Sequence, residues 1–481
     1  MSNPIASASL AGAPAHATQQ QPGRLALLVM LSGTFMVVLD FFIVNVALPA
    51  LQADLRASTG TVQMVVAGYG LANAAGLITG GRLGDIFGRR RMFMLGLLLF
   101  TLASLACGLA PNGDVLVAAR VLQGMAGAVL QPQVLAMIAL VYTGESRAKA
   151  FGAYGLALGL GAALGQLIGG VLIHLDIAHL GWRSCFLINI PIGVAGLLLA
   201  PRFIPPLANT GASRLDLVGM LLAAAGSVAV VLPLVEGRQQ GWPVWSIAML
   251  VAALPLLALF AWYQRWLAAR GGAPLVAPAL LAHRRFVRGL LATLAFYVGN
   301  ASLYLVLALY LQQGLHIAPM HSGLVFTAMA VGFFLASMGS ARLAKRFGGA
   351  PIARGALLLA AGHVLQLGNV LWGGQHMLAL MVPILFVQGL GLGVVMAPLV
   401  SAVLAGLPPQ HAGVASGVLA MVQQTGNALG VALIGLLFYG QLHGAVTPAA
   451  YADAFAASLV YLTVSALGVA LLYRRLVRVG A

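Results

Sequence analysis

Charged residues are scarce in this sequence. Only 7% of its 481 residues are Asp, Glu, Lys or Arg, and only nine are acidic. A soluble domain carries about 25% charged residues, so a chain this poor in charge has no ordinary water-facing surface. With 61% apolar residues and a mean hydropathy of +0.99, the composition predicts an all-α, polytopic membrane protein without a large soluble domain.

Cysteine and lysine are almost absent as well. The two cysteines, Cys107 and Cys185, lie in separate apolar stretches, so the sequence predicts neither a disulfide framework nor a metal site. The two lysines, Lys149 and Lys345, each follow an alanine, so the Gly-Lys pair of a phosphate-binding loop is missing. No HExxH, CxxC or GxSxG pattern occurs either. We therefore expect neither an enzyme nor an ATP-driven pump, and we expect no cofactor.

Basic residues outnumber acidic ones, and the formal net charge is +16. Basic stripes interleaved with aromatic residues are missing, so this charge does not indicate nucleic-acid binding. When the chain is divided into fourteen predicted spans, with residues 1–23 as a disordered cytoplasmic tail, all but a few of the 25 basic residues fall on one side. By the positive-inside rule, we expect a multi-pass plasma-membrane protein with both termini in the cytoplasm.

Part of the sequence recurs in order. GRLGDIFG at 81–88 returns as ARLAKRFG at 341–348, and Gln123-Gly124 returns as Gln388-Gly389. Two copies of a helical unit around a midplane cavity are typical of a secondary transporter. Coincidence in a glycine-rich sequence is the alternative, and the common order of the matches argues against it. The predicted parts are an N-terminal six-span half (24–205), two inserted spans with linkers (206–283) and a C-terminal six-span half with a short cytoplasmic tail (284–481).

Five short stretches form motifs. They are GRLGDIFGRRR at 81–91, LDFFIVNVALP at 39–49, RVLQG at 120–124, GQLIGG at 165–170, and 182–191 with Trp182, Arg183, Phe186, Asn189 and Pro191. Together they resemble the major facilitator superfamily, and within it the fourteen-helix drug:proton antiporter branch of the EmrB/QacA type. At 165–166 that branch has Gly-Pro where this sequence has Gly-Gln. The resemblance spans essentially the whole chain and implies a fold of two six-helix halves plus two inserted helices.

Asp40 is the only acidic residue that lies deep within a predicted span. It is about ten residues, or roughly 15 Å, from the outer end of the first span. A carboxylate at that depth costs about 2.5–3.5 kcal/mol on insertion scales. We interpret Asp40 as a carrier of one proton per cycle, with a permanent ion pair or a helix cap as the alternatives. On this interpretation an Asp40→Asn variant loses proton coupling and stays folded.

Arg120 is the only basic residue within a predicted span. Together with Gly124, Gly127 and Gln131 it forms one face of the fourth span, which we expect to face the bundle interior. Its long side chain can approach Asp40 and couple the protonation of that residue to conformation. A purely structural hydrogen-bonding role is the alternative.

The stretch 81–91 is predicted to be a tight cytoplasmic loop between two spans. A single negative charge near helix ends can hold neighbouring helices in one state. The resemblance implies a gating role for Asp85, with a solvated loop charge as the alternative, and the second copy has Lys345 at the matching position. The predicted gating residues are Gly81, Gly84, Asp85, Gly88, Arg89 and Arg90.

Small residues recur at every fourth position of the fifth span, which permits close helix packing. We expect this face to pack at the interface between the two halves. Its residues are Gly161, Gly165, Gln166, Gly169 and Gly170.

Polar and aromatic side chains in other spans are candidates to line the substrate cavity, and ordinary helix packing is the alternative for each. They are Phe41, Asn45, Gln123, Gln131, Asn300 and Tyr304. His363 is a lone histidine within a span. We interpret it as a core residue with satisfied hydrogen bonds rather than as a second proton site.

The sequence thus predicts proton-coupled export of hydrophobic, cationic or neutral small molecules by alternating access. The alternatives are an exporter or facilitator of one specific metabolite, and a membrane sensor that binds without transport. The expected partners are the small-molecule substrate, protons and the lipid bilayer, without nucleic acid. We expect a monomer, and the sequence does not indicate whether adaptor proteins are needed.

Overall fold

The computed structural model describes residues 23–207, 215–237, 240–317, 319–347, 351–372, 374, 377–405, 407, 411–442 and 447–478. All regular structure in these residues is helical, as the composition predicts. The predicted N-terminal tail lies outside the described residues, except for Gly23.

Seven helices form the first half: α1 (Arg24–Asp54), α2 (Thr59–Phe87), α3 (Arg89–Gly108), α4 (Gly113–Val141), α5 (Gly144–Leu175), the short α6 (Ser184–Leu187) and α7 (Asn189–Phe203). Polar side chains mark where helices begin. The Ser58 hydroxyl accepts a hydrogen bond from the Thr61 amide at 3.1 Å. The Asn112 side chain accepts one from the Val115 amide at 2.9 Å. Such contacts satisfy amide groups that have no partner within the first turn.

Two apolar helices follow: α8 (Leu217–Leu232), which continues as a π-helical turn (Pro233–Gly237), and α9 (Val244–Ala269). The Asp216 carboxylate begins α8 by accepting a hydrogen bond from the Gly219 amide at 2.7 Å. It also accepts hydrogen bonds from Gln264 Nε2 at 2.7 Å and from the Leu275 amide at 3.2 Å. This buried carboxylate therefore ties α8, α9 and the following linker together.

The second half consists of the short α10 (Pro278–Ala282), α11 (Arg284–Leu309) with a π-helical turn (Tyr310–Gly314), α12 (Pro319–Phe347), α13 (Pro351–Trp372), α14 (Met377–Leu404), α15 (Ala412–Leu442) and α16 (Pro448–Arg478). Helix packing follows the same pattern in both halves. In the first half, α1 packs against α5 and α7, α2 against α4, and α3 against α4 and α7. In the second, α11 packs against α15 and α16, α12 against α14, and α13 against α14 and α16. The domain boundaries drawn from the sequence remain predictions.

The two halves meet in two places. α2 and α4 pack against α15, and α5 packs against α12 and α14. At the first contact Gly81 lies directly against the backbone carbonyl of Gly413, where a side chain would not fit. Glycine therefore permits the backbones of α2 and α15 to touch. We call this end of the bundle, with the end of α2 and the start of α15, the basic end, because it also carries Arg89, Arg90 and Arg91.

Within the described residues, twelve helical segments are long and apolar enough to cross a membrane. The 32-residue α5 and the 16-residue α8 are not among these twelve. α8 packs against α2 and α15, while α9 packs mainly against α8 and exposes most of its surface. The all-α membrane fold is therefore confirmed, and the count of fourteen spans remains a prediction.

Candidate functional site

The Asp40 carboxylate lies in the middle of α1 and is completely buried. Its Oδ2 atom accepts a hydrogen bond from Arg120 Nη1 of α4 at 2.5 Å, which makes a buried ion pair. Its Oδ1 atom accepts hydrogen bonds from Gln123 Nε2 at 2.8 Å and from Asn189 Nδ2 at 2.9 Å. A buried carboxylate is tolerated when it is paired and hydrogen-bonded in this way. Asp40 thus joins α1 to α4 and α7.

The Arg120 guanidinium extends the contact to α2. Its Nε donates to the Val65 carbonyl at 3.0 Å, and its Nη1 also donates to Gln123 Oε1 at 2.8 Å. The guanidinium carbon lies 4.1 Å from the centroid of the Tyr69 ring, which is a cation–π contact. Arg120 is therefore held in one orientation by α2 and α4 as well as by Asp40.

Ser104 of α3 completes the network. Its hydroxyl accepts hydrogen bonds from Gln123 Nε2 at 3.1 Å and Asn189 Nδ2 at 2.9 Å, and it donates to the Phe186 carbonyl at 2.9 Å. Sequence reasoning missed Ser104, because a serine within an apolar helix gives no signal of its partners. The sequence indicates Asn189 only as a member of the motif at 182–191 and gives it no role. We call Asp40, Arg120, Gln123, Asn189 and Ser104 the Asp40 network.

The Asp40 network can respond to a proton. Protonation of Asp40 removes the negative charge that balances Arg120, and a buried guanidinium without a counter-ion is strongly destabilised. Repacking of the helices that Asp40 joins would then lower the free energy of the protein. The network therefore has the chemistry of a proton-dependent contact between helices.

The predicted small face of α4 packs against α2. A side chain on Gly124 would collide with the Tyr69 carbonyl, and a Cβ on Gly127 would lie 2.7 Å from Asn73 Nδ2. Both glycines and Arg120 are buried, while Gln131 is half-buried. This face therefore lies inside the bundle and brings α2 close enough for the contacts of Arg120.

The prediction of a loop at 81–91 is wrong. Residues 81–87 belong to α2, and α3 begins at Arg89, so Gly88 alone forms the turn. Gly88 has a φ of +92°, a conformation that glycine adopts without steric strain. Gly84 serves packing rather than turning, because it lies directly against the Gln133 side chain of α4. Glycines that support tight turns and glycines that permit close packing look alike in a sequence.

Asp85 is also not a solvated loop charge. It is 1% exposed and pairs with Arg89, one turn further along the chain. Its Oδ1 accepts a hydrogen bond from the Gly413 amide and its Oδ2 accepts one from the Val414 amide, both at 3.2 Å. These amides begin α15, where the helix dipole favours a negative charge. Asp85 therefore connects the two halves at the basic end.

The described hydrogen bonds of the neighbouring residue, Arg90, lie within the first half. Arg90 Nη1 donates to the backbone carbonyl of Ile204 at 3.1 Å and lies 3.4 Å from that of Pro201. These carbonyls follow or end α7, where a positive charge is favoured. Of the predicted gating residues, Gly81 and Asp85 contact α15 directly.

The predicted packing of the α5 glycines between the two halves is wrong. Gly161, Gly165 and Gly169 all lie against α1: a Cβ on each would come within 3.0 Å of Val38, Phe42 or Ile43. Gly170 has open space around it, and the Gln166 side chain lies outside the described residues. The contact of α5 with the second half uses another face, on which Gly159 meets Phe333 of α12. The spacing of small residues predicted a tight contact without identifying the partner helix.

The predicted cavity residues do not form one cluster among the described contacts. Phe41 packs against Phe42 and Tyr69, and Tyr304 stacks on Phe326 with 6.0 Å between ring centroids. Gln123 belongs to the Asp40 network. Gln131 is half-buried, Asn300 lines a small cavity beside His363, and the Asn45 side chain lies outside the described residues. A shared substrate site for these residues remains a prediction.

Comparison with known proteins identifies the family. The model of the Major Facilitator Superfamily matches residues 30–283 and 289–479. The chain belongs to the Major Facilitator Superfamily. It is 41% identical over 425 residues to the "Probable actinorhodin transporter" of Streptomyces coelicolor, covering 88% of this chain and 73% of that protein. It is 39% identical over 461 residues to the puromycin resistance protein pur8 of Streptomyces alboniger, covering 93% and 89%.

A solved structure supports the same fold. The human organic anion transporter MFSD10 is 16% identical to this chain and matches it with a TM-score of 0.67, covering 94% of this chain and 100% of that one. At this identity the likeness concerns the fold alone. The predicted superfamily is therefore confirmed, whereas the fourteen-helix antiporter branch is a finer assignment that remains open. Members of this superfamily are transporters of small molecules.

The second half of this superfamily member has its own buried polar cluster. His363, Gln366 and Asn369 follow one another along α13, and Gln388 lies on α14. Gln388 Nε2 donates to the Gly362 carbonyl at 3.0 Å. His363 faces the backbone of Leu462, but among the described residues neither of its ring nitrogens makes a hydrogen bond of normal geometry. Gln366 likewise has no partner there for either side-chain polar atom.

This arrangement differs from the expected core histidine with satisfied hydrogen bonds. His363 is 2% exposed and lines a cavity of about 10 Å³ together with Asn300 and Ser465. This is about the space that a single water molecule requires. The second half therefore contains buried polar side chains, such as Gln366, that have no hydrogen-bond partner among the described residues.

At the opposite end of the bundle, a polar contact joins the end of α1 to the residues that precede α6. Asp54 ends α1 beyond its apolar span, and its Oδ2 accepts hydrogen bonds from Arg183 Nη1 at 2.5 Å and Trp182 Nε1 at 2.9 Å. The hydrogen bond from Arg183 is the main reason that the pKa of the Asp54 carboxyl lies below its ordinary value. Half of the Asp54 side chain is exposed, so solvent screens this ion pair.

Proposed function

We propose that this protein is a proton-coupled exporter of hydrophobic small molecules, an antiporter of the plasma membrane that works by alternating access. The observation that carries the proposal is the buried Asp40–Arg120 ion pair at the meeting of α1 and α4. The names of its relatives support export as the direction of transport and small molecules as the substrates. They include the puromycin resistance protein and the multidrug resistance protein Stp of Mycobacterium tuberculosis, which is 30% identical to this chain.

The coupling step is the exchange of a proton on Asp40. With Asp40 charged, the Asp40 network holds α1, α3, α4 and α7 in one arrangement. When Asp40 is neutral, the ion pair is lost. Gln123 and Asn189 then donate to an uncharged carboxyl group, which is a weaker hydrogen-bond acceptor than a carboxylate. A ligand shifts a conformational equilibrium only by the difference in its affinity for the two states, and the proton has such a difference here. The proton is therefore the species that drives the conformational change.

The gate at the basic end is the contact of Asp85 with the start of α15. Opening this end withdraws a carboxylate from two amide groups and from the positive end of a helix. A charge at a helix end contributes about 0.3–2 kcal/mol. A free-energy difference of this size can be overcome by one proton crossing a pH difference of one to two units, at about 1.36 kcal/mol per unit.

We assign the protein to the fourteen-helix branch of its superfamily. Adding α5 and α8 to the twelve membrane-crossing candidates gives fourteen helices. Of the inserted pair, α8 packs against α2 and α15, and α9 packs mainly against α8, which is consistent with a pair added to two six-helix halves. We further propose that the protein is a monomer and that both of its termini lie in the cytoplasm.

The test is transport in proteoliposomes with an imposed pH gradient. The panel contains neutral and cationic lipophilic compounds, including puromycin, and the readouts are uptake and the quenching of a pH-sensitive dye. The proposal predicts uptake that depends on the gradient and a movement of protons that depends on the compound. The matched control is the Asp40→Asn/Arg120→Gln protein, which lacks both charges of the ion pair.

Two results would contradict the proposal. Uptake that does not depend on the pH gradient would indicate a facilitator. Thermal stabilisation of the protein by a compound that it does not transport would indicate a sensor. The breadth of the panel tests a second candidate, an exporter of one metabolite. Relatives that are named for single compounds, such as actinorhodin and tetracenomycin C, favour that narrower range.

A further inference from the structure

A cavity of about 230 Å³ opens between three helices of the second half at the basic end. It is lined by the first turns of α11, the last turns of α14 and the end of α16. The apolar span of α11 begins at Arg284, that of α14 ends at Leu404 and that of α16 ends at Arg474. The cavity therefore lies where these helices leave the membrane. Its volume is far larger than the 10–15 Å³ or so that one water molecule needs.

The walls of this cavity are apolar. Leu399 and Val403 of α14 form a floor that is almost completely buried, and Ala402 and Gly289 add further apolar surface. A polar solute would find few hydrogen-bond partners on such walls, and burying it there would be unfavourable. Hydrocarbon is the chemistry that the walls accept.

The rim of the cavity is basic. Arg285 and Tyr473 are the two polar side chains that line it, and they lie close enough to interact electrostatically. Arg284 and Arg288 flank Arg285 on α11, and Arg474 follows Tyr473 on α16. All nine acidic residues of the chain are described, and no salt bridge joins one of them to any of these four arginines. The rim is thus a cluster of cations that form no salt bridge with an acidic side chain.

We propose that this cavity binds an anionic phospholipid of the cytoplasmic leaflet. The acyl chain lies against Leu399 and Val403, and the phosphate lies at Arg285. Basic pockets between membrane-spanning helices on the cytoplasmic side are suited to anionic headgroups, because positive charge and apolar surface lie next to each other. All residues that line the cavity belong to the second half, whereas the Asp40 network belongs to the first. The lipid site is therefore separate from the proposed coupling site and does not depend on the direction of transport.

The experiment compares retention of phosphatidylglycerol and phosphatidylcholine by the purified full-length protein, using native mass spectrometry and thermal unfolding. We expect preferential retention of phosphatidylglycerol and a higher unfolding temperature in its presence. Because one arginine near an anionic surface changes affinity about fivefold, Arg285→Gln should weaken phosphatidylglycerol binding by about that factor. The matched control is Arg265→Gln, at the exposed end of α9, which should leave binding unchanged.

A second variant tests the apolar part of the site. Ala402→Phe fills the cavity and leaves every arginine in place, so it should reduce phosphatidylglycerol retention. Inorganic phosphate, which has no acyl chain, should not compete. Equal retention of the two lipids, or an equal effect of Arg285→Gln and Arg265→Gln, would overturn the proposal. Competition by a transported compound would also overturn it, because the cavity would then belong to the substrate pathway.

Discussion

The two halves of the molecule share a pattern of helix packing but differ in their buried polar chemistry. In the first half, Gln123 is one of several side chains arranged around a carboxylate and a guanidinium. Its counterpart in the sequence repeat, Gln388, donates to a backbone carbonyl of α13. Near it, His363 and Gln366 have no hydrogen-bond partner of normal geometry among the described residues.

This difference shows what a buried charge pair does to its surroundings. A charge in a low-dielectric interior makes strong hydrogen bonds, so it orients the polar groups that contact it. Buried side-chain atoms without a partner among the described residues occur in both halves, for example on Asn73 in the first half and on Gln366 in the second. The halves therefore differ in that the buried polar contacts of the first half include an ion pair, whereas the cluster around Gln388 has no charged member.

Neutralising the Asp40–Arg120 pair should remove most of the difference between the two halves. Asp40→Asn leaves Arg120 buried without a counter-ion, so we now expect it to abolish proton coupling and to destabilise the protein by about 3–5 kcal/mol. The sequence alone suggested that this variant would stay folded. Thermal unfolding and the pH-dye assay measure the two effects.

The double variant Asp40→Asn/Arg120→Gln separates folding from coupling. It removes both charges, so it should regain much of the stability lost in Asp40→Asn while remaining uncoupled. A double variant that still moves protons with the drug would exclude Asp40 as the carrier and direct attention to His363.

The second half offers the opposite experiment. Gln366→Leu replaces a buried side chain that has no hydrogen-bond partner among the described residues by an apolar one of similar size. Leaving a buried polar group unsatisfied costs about 1–3 kcal/mol, so this variant should be more stable by up to that amount. The same substitution at Gln123, which breaks the Asp40 network, should destabilise the protein. Equal effects at the two positions, measured by thermal unfolding, would remove the contrast between the halves.

Another variant concerns the ends of the helices at the contact between the two halves. Asp85→Asn removes the negative charge from the start of α15, so the closed basic end should lose up to about 2 kcal/mol and open more often. Transport should fall while substrate binding is largely retained. Spin labels at Phe87→Cys and His411→Cys report the opening, because the native cysteines are completely buried. Asp114→Asn, at an exposed acid of α4, is the control, and an equal loss of binding and flux would argue against a gate.

The smallest effect is expected at the other end of the bundle. Because Arg183 lowers the pKa of Asp54, the pair stabilises the folded protein at neutral pH. This contribution is lost as the pH falls through the folded-state pKa, which lies below the ordinary value. Asp54→Asn should lower stability at pH 7 by about 1 kcal/mol or less and have no effect in strong acid. A constant difference in unfolding temperature at all pH values would exclude the ion pair as the cause.

The sequence predicts the fold and the central ion pair well, because each depends on a strong signal. Long apolar runs indicate membrane helices, and a single acid and a single base within spans are expected to find each other. The sequence does not identify partners that are backbone groups. Asp85 lies in a glycine- and arginine-rich stretch that resembles a loop, and its partners are the backbone amides of Gly413 and Val414, which no side-chain pattern reveals. The α5 glycines indicated close packing, but spacing alone does not distinguish α1 from the second half.

The buried ion pair also has an electrical consequence. While Asp40 is ionised, it and Arg120 together carry no net charge, so a membrane voltage does no work when they move. Once Asp40 is protonated, the guanidinium remains and the same group of helices carries one positive charge. A voltage of 100 mV contributes about 2.3 kcal/mol for a full crossing of one charge, and proportionally less for a partial one. On the proposed mechanism, the voltage therefore acts on the proton-loaded half of the transport cycle and leaves the return step unaffected when the exported compound is neutral.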